Sequence, residues 1–125
     1  MKKFSLWAPV GAWCLLIFTL SSIPNLSSGL EYDYLLRKIA HMAEYGILFL
    51  LLRRALNGTF APEFRWTRAA AFLAALYAAT DEYHQSFVPG RHGCWSDVAI
   101  DSCGVALGAL WLAATRAWSL RRGRR

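Results

Sequence analysis

A 125-residue chain in which 56% of residues are hydrophobic and only 18% charged, with a mean hydropathy of +0.28, is more apolar than an ordinary soluble domain and points to the bilayer. The net charge of +6 would suit a nucleic-acid partner, but five of the fourteen basic residues lie within 116–125, beyond the last apolar run. There they read as a cytoplasmic anchor against anionic headgroups, and no nucleic-acid partner is expected.

The first apolar run, residues 6–22, follows Lys2 and Lys3 and ends without a small-x-small cleavage pattern, so it reads as an uncleaved membrane anchor. Pro9 sits in its first turns and Pro24 marks its exit. After a polar linker at 25–29, residues 30–54 predict one long helix, apolar from 39 to 52. Fourteen residues rise only about 21 Å, so the polar turns before Ile39 must enter the membrane or its interface. On that helix Lys38, His41, Glu44 and Tyr45 share about a third of the circumference.

Arg53 and Arg54 close this helix, and Asn57-Gly58 followed by Pro62 predicts a turn. Residues 69–80 form an alanine-rich run suited to close helix packing, and residues 81–85 are expected to continue it. Tyr77, Asp81, His84 and Gln85 then share a face, with Glu82 about 100° away. Val88-Pro89-Gly90-Arg91 predicts a type II turn. The last helix is expected to start near Ser96 as N-cap, with Asp97 in its first turn. Asp97, Asp101, Gly104 and Gly108 lie on one stripe, the two glycines forming a GxxxG packing pattern.

With four spans and both termini inside, Lys2, Lys3, Arg53, Arg54, Arg65, Arg68 and the tail arginines all fall on the cytoplasmic side. Only Arg37, Lys38 and Arg91 fall outside. Glu44 then lies about 14 Å above Arg53, Asp81 about 20 Å above Arg68 and Asp101 about 22 Å above Arg116. Three helices thus carry ionisable groups at similar heights in the outer half of the bilayer. Charges there are expensive unless they face one another or water.

The strings Lys38-x-x-His41-x-x-Glu44-Tyr45, Asp81-Glu82-x-His84-Gln85-x-Phe87-Val88-Pro89-Gly90-Arg91 and Asp97-Val98 with Gly104 resemble the VanZ-like membrane proteins, named for a teicoplanin-resistance determinant. The likeness covers about residues 36–108 of what reads as one domain of 125 residues. It implies a small bacterial integral membrane protein of the cell envelope, linked to antibiotic resistance in the form of lowered teicoplanin susceptibility. Two positions depart from the family's usual pattern: Arg37 stands where an acidic residue is common, and Asp101-Ser102-Cys103-Gly104 replaces an Asn-x-x-Gly.

The expected architecture is therefore all-α, a bundle of four transmembrane helices in the bacterial cytoplasmic membrane. Three readings of its polar cluster compete. In the first, the groups only couple helices. In the second, Lys38, Arg91 and the Pro89-Gly90 turn hold an anionic lipid-linked envelope precursor at the outer leaflet, with Tyr45, Gln85, Asp97 and Asp101 completing the site. In the third, His41 with Glu44, and Asp81 or Glu82 with His84, serve as acid–base pairs of a hydrolase or transferase acting on a lipid headgroup.

A metal held by His41, Glu44, Asp81 and His84 is possible in principle, but no HExxH or similarly tight motif exists, so no metal or other cofactor is predicted. Cys14, Cys94 and Cys103 have no CxxC spacing, which indicates neither a disulfide framework nor a zinc knuckle. The leading expectation is ligand binding, with membrane lipids as partners. The oligomeric state is not legible in the sequence.

Overall fold

A computed structural model describes residues 2–24, 31–60, 63–91 and 93–123. The linker at 25–29, Pro62, His92 and the last two arginines lie outside the described residues. Among these there are four helices, α1 (Lys2–Ser21), α2 (Asp33–Thr59), α3 (Phe64–Gln85) and α4 (Trp95–Arg122). The all-α expectation therefore holds.

Several boundaries differ from the sequence reading. The turn expected at Asn57-Gly58 is instead the last stretch of α2, which runs to Thr59. Contacts from α1 cover it: Leu6 lies where a Gly58 side chain would stand, and the Trp7 indole donates to Thr59 Oγ1 at 2.8 Å. Helix α4 starts at Trp95 with Cys94 as its N-cap residue, so Ser96 is inside the first turn and not the cap. Its hydroxyl donates to Cys94 Sγ and Asp97 Oδ1 instead. At the other end α4 continues to Arg122, making most of the expected basic tail helical. The reversal after α3 is as anticipated: Gly90 has φ 76° and the Arg91 amide donates to the Val88 carbonyl at 3.0 Å, as a type II turn requires.

Small residues set the packing. Ala70, Ala74 and Ala78 recur at four-residue spacing on α3 and are fully buried, which lets that helix approach its neighbours closely. Between α2 and α4 the approach is tighter still. A Cβ on Gly104 would overlap the Met42 carbonyl, and one on Gly46 would stand 2.9 Å from the Gly104 carbonyl oxygen. Gly108 packs against the Phe49 ring and the Gly46 backbone. Partners increase together along both chains, so α2 and α4 lie side by side in the same direction, with backbones touching. Around this seam, Tyr45, Leu48, Phe49 and Ala55 have no exposed surface, and Ile17 reaches the same core from α1.

The surface is apolar where a soluble protein would be polar. Leu15, Phe72, Leu110 and Trp111 are more than half exposed, while Asp81, Glu82, Gln85 and Asp101 are buried. Two segments, Lys3–Ser21 and Trp95–Arg122, are long and apolar enough to cross a membrane, and most of each apolar window faces outward. Helices α2 and α3 fall short of that mark among the described residues, because charged groups stand within them.

Gly104→Val should destabilise the protein by about 1–3 kcal/mol, since the added carbons meet backbone that cannot move aside. Gly11→Ala, where a Cβ meets nothing within 4 Å, should be neutral or slightly stabilising. Unfolding followed by circular dichroism in mixed micelles measures both.

Candidate functional site

The C-terminal ends of α1 and α3 and the N-terminal halves of α2 and α4 meet at one end of the molecule. Lys38 of α2 forms an ion pair with Asp97 of α4, both side chains largely shielded. One turn further in, His41 Nδ1 stands 3.2 Å from Asp101 Oδ1. Between these two pairs both helices advance by three to four residues, the helical repeat, so the parallel seam carries the two acids against the two bases in register.

Helix α1 contributes more than an anchor. Ser21 Oγ donates to Asp81 Oδ1 at 2.6 Å, and Gln85 Nε2 donates to Asp81 Oδ2 at 2.9 Å. The buried Asp81 carboxylate is thus satisfied on both oxygens by neutral donors and ties α1 to α3. Tyr77 donates to the Cys14 carbonyl at 2.8 Å, and the Trp13 indole donates to the Glu44 carbonyl at 2.9 Å. His84 packs on the Phe18 ring and lies 3.0 Å from Ser22 Oγ. The same hydroxyl lies 2.6 Å from the Phe18 carbonyl, one turn back in its own helix. Nothing in the sequence's charge pattern marks Ser21 and Ser22. The available signal is their position at the end of a span, level with the acids.

Arg91 reaches back from the turn after α3 and donates to the carbonyls of Leu20, at 2.8 Å, and Ile23, at 3.3 Å. Its hydrogen bonds are with neutral oxygens, and no carboxylate lies within ion-pair distance among the described residues. Arg37 pairs with Asp33 one turn away, at 3.1 Å. Together Arg37, Lys38 and Arg91 border a cavity of about 220 Å³ that Tyr34, His41, Gln85, Gly90 and Asp97 complete. A second cavity of about 160 Å³ adjoins it, sharing Arg37, His41, Gln85 and Arg91 and reaching Glu44 and Asp81.

A chain with this all-helical build, two membrane-length apolar helices and this polar end matches the VanZ/LLP1 family model over residues 4–116. The chain belongs to the VanZ/LLP1 family. No curated protein and no solved structure matches it. For this VanZ/LLP1 member, family and apolar helices together point to a membrane protein.

The expected residues divide. Lys38, Gln85, Gly90, Arg91 and Asp97 line the larger cavity, and Tyr34 and Arg37 join them although neither was anticipated. Three expected ligand contacts do not reach it. Tyr45 is fully buried beside Tyr77, with ring centroids 6.5 Å apart, because its position faces the core between α2 and α3. Asp101 is fully buried against His41. Pro89 is exposed and leaves only its neighbour Gly90 at the rim.

The acid–base pairings also change. His41 faces Asp101 in place of Glu44, and His84 faces Ser22 in place of a carboxylate. Glu82 Oε2 accepts from the Cys94 amide at 2.9 Å, bringing Glu82 to the start of α4.

Ser21→Ala should lower stability by about 1–3 kcal/mol, the cost of a buried carboxylate oxygen losing its donor. Thr19→Ala, which removes a hydroxyl bonded only to the Leu15 carbonyl of its own helix, should cost less than about 0.5 kcal/mol. The same micellar unfolding assay compares them.

Proposed function

We propose that this VanZ/LLP1 protein spans the bacterial cytoplasmic membrane four times, with both termini inside, and binds the anionic headgroup of a lipid-linked or cell-wall ligand at the outer face. The observation that carries this reading is the cavity of about 220 Å³ bordered by three cations, Arg37, Lys38 and Arg91. Arg37 and Lys38 have carboxylate partners, whereas Arg91 is bonded to backbone carbonyls and, among the described residues, has no negative charge within ion-pair distance. A phosphate or carboxylate group would supply that charge and accept from more than one donor. Pocketed basic groups at a headgroup level are a recurrent way of holding anionic lipids.

Four spans are supported by length and by charge placement. Helices α2 and α3 contain 27 and 22 residues, enough for about 40 and 33 Å. Their charges lie near the two ends or, for the half-buried Glu44, on the wall of the second cavity, so crossing need not expose them to hydrocarbon. Lys3, Arg54, Arg65, Arg68 and Arg121 lie at the end opposite the cavity, which supports that end as cytoplasmic. The resemblance to teicoplanin-resistance proteins favours an envelope precursor as the ligand, and the polar network beneath the cavity holds the helices that shape it.

Orientation is tested by labelling. In cells carrying the Cys14→Ala/Cys103→Ala variant, a membrane-impermeant maleimide should modify the exposed Cys94 from outside without permeabilisation. Labelling only after inner-membrane lysis would reverse the orientation.

Ligand binding is tested by native mass spectrometry of the purified protein with phosphatidylglycerol and with undecaprenyl phosphate. Arg91→Ala should weaken retention of an anionic lipid by about ten- to a hundredfold, the loss of one charged hydrogen-bonding group. Arg65→Ala, at the opposite end, should leave it unchanged. Equal retention by both variants would remove the cavity from consideration.

A further inference from the structure

Beneath the cavity, His41 from α2, Glu82 from α3 and Asp101 from α4 bring one ligand-capable atom each to within 4.8 Å of one another. Asp101 is wholly buried and Glu82 is 5% exposed. His41 Nδ1, Glu82 Oε1 and both Asp101 oxygens are sealed from solvent, and none makes a hydrogen bond. The remaining Glu82 oxygen is held by the Cys94 amide, which fixes the carboxylate while leaving Oε1 as an open donor atom. The basic side chains that border the cavity are engaged elsewhere, Lys38 with Asp97, Arg37 with Asp33 and Arg91 with backbone carbonyls. Besides His41 itself, no basic side chain among the described residues stands within ion-pair distance of either carboxylate, and both lie in a water-poor interior.

The spacing of the donor atoms fits a metal ion. His41 Nδ1 and Asp101 Oδ1 are 3.2 Å apart yet misaligned for a hydrogen bond. Two ligands each about 2.1 Å from one metal ion stand about 3.0–3.4 Å apart along an octahedral or tetrahedral edge. That is the relation these two atoms have, and Glu82 completes a triangle contributed by three different helices. One imidazole with two carboxylates suits a borderline divalent ion better than a soft thiophilic one, and the imidazole disfavours magnesium and calcium.

We propose that His41, Glu82 and Asp101 bind one divalent transition-metal cation of the zinc or manganese type, neutralising both carboxylates and leaving coordination positions for water or a ligand oxygen. It is a different set from the four residues weighed on sequence, of which only His41 takes part. The site does not depend on the headgroup reading. If both hold, His41, which also lines the larger cavity, is where the cation and the bound anion meet.

The experiment uses the full chain, purified in detergent with a histidine-free affinity tag, stripped with EDTA and titrated with Co²⁺, whose visible absorption reports its coordination, then with Zn²⁺ in competition. One ion per chain is expected, displaced by Zn²⁺, with affinity falling roughly 100-fold or more in Asp101→Asn and in Glu82→Gln. Arg91→Ala and Cys94→Ser should both keep the metal. Arg91→Ala thereby separates this site from the headgroup cavity. The absence of saturable binding to the unaltered chain overturns the proposal without recourse to any variant that fails to fold. So does unchanged binding in folded Asp101→Asn, or loss of binding in Cys94→Ser, which would place the ion on the loop thiol.

Discussion

The cost of burying charge governs this molecule. Asp81, Glu82 and Asp101 are removed from solvent in a bundle whose exterior is largely apolar, so each must find a partner inside. The helices are positioned accordingly: Asp81 draws α1 onto α3 through Ser21, Glu82 draws the start of α4 onto α3 through the Cys94 amide, and Asp101 faces His41 across the α2–α4 seam. Apolar contacts supply most of the buried surface, but they tolerate rotation and sliding. Directed polar contacts do not, which is why they select one arrangement among many of similar packing.

The seam between α2 and α4 converts this requirement into geometry. Gly46 and Gly104 allow backbone to meet backbone, and that approach brings the short side chain of Asp101 within reach of His41. Larger residues would push the helices apart and leave both groups stranded. Packing motif and polar site are consequently one feature: the glycines set the separation, and the acids and bases fix the register.

Much of this was legible in the sequence because its signals are local. The GxxxG spacing, the Val88-Pro89-Gly90-Arg91 turn and the three-to-four-residue spacing of Lys38, His41 and Glu44 follow from helix and turn geometry alone. That the polar groups of α2, α3 and α4 would stand at one level also followed, from counting residues between charged ends. Partner choice did not. Whether His41 meets Glu44 or Asp101 depends on the relative rotation of two helices sixty residues apart, which no local pattern encodes. The part played by α1 was missed for a similar reason, since Ser21 and Ser22 look like ordinary helix-end residues until Asp81 and His84 are set beside them. Asn57-Gly58 has a strong turn propensity, but Leu6 and Trp7 cover that stretch and tertiary contact overrides it.

Helix α4 is continuous from Trp95 to Arg122, about 42 Å of rod, and exceeds the thickness of a hydrocarbon core by roughly two turns. Its far end carries Arg122 stacked on Trp118, an aromatic–basic pairing suited to an interface. Because Asp97 and Asp101 sit near the opposite tip of the same element, one uninterrupted helix joins the polar site to the basic end, and its backbone is seated on α2 at Gly104 and Gly108 on the way.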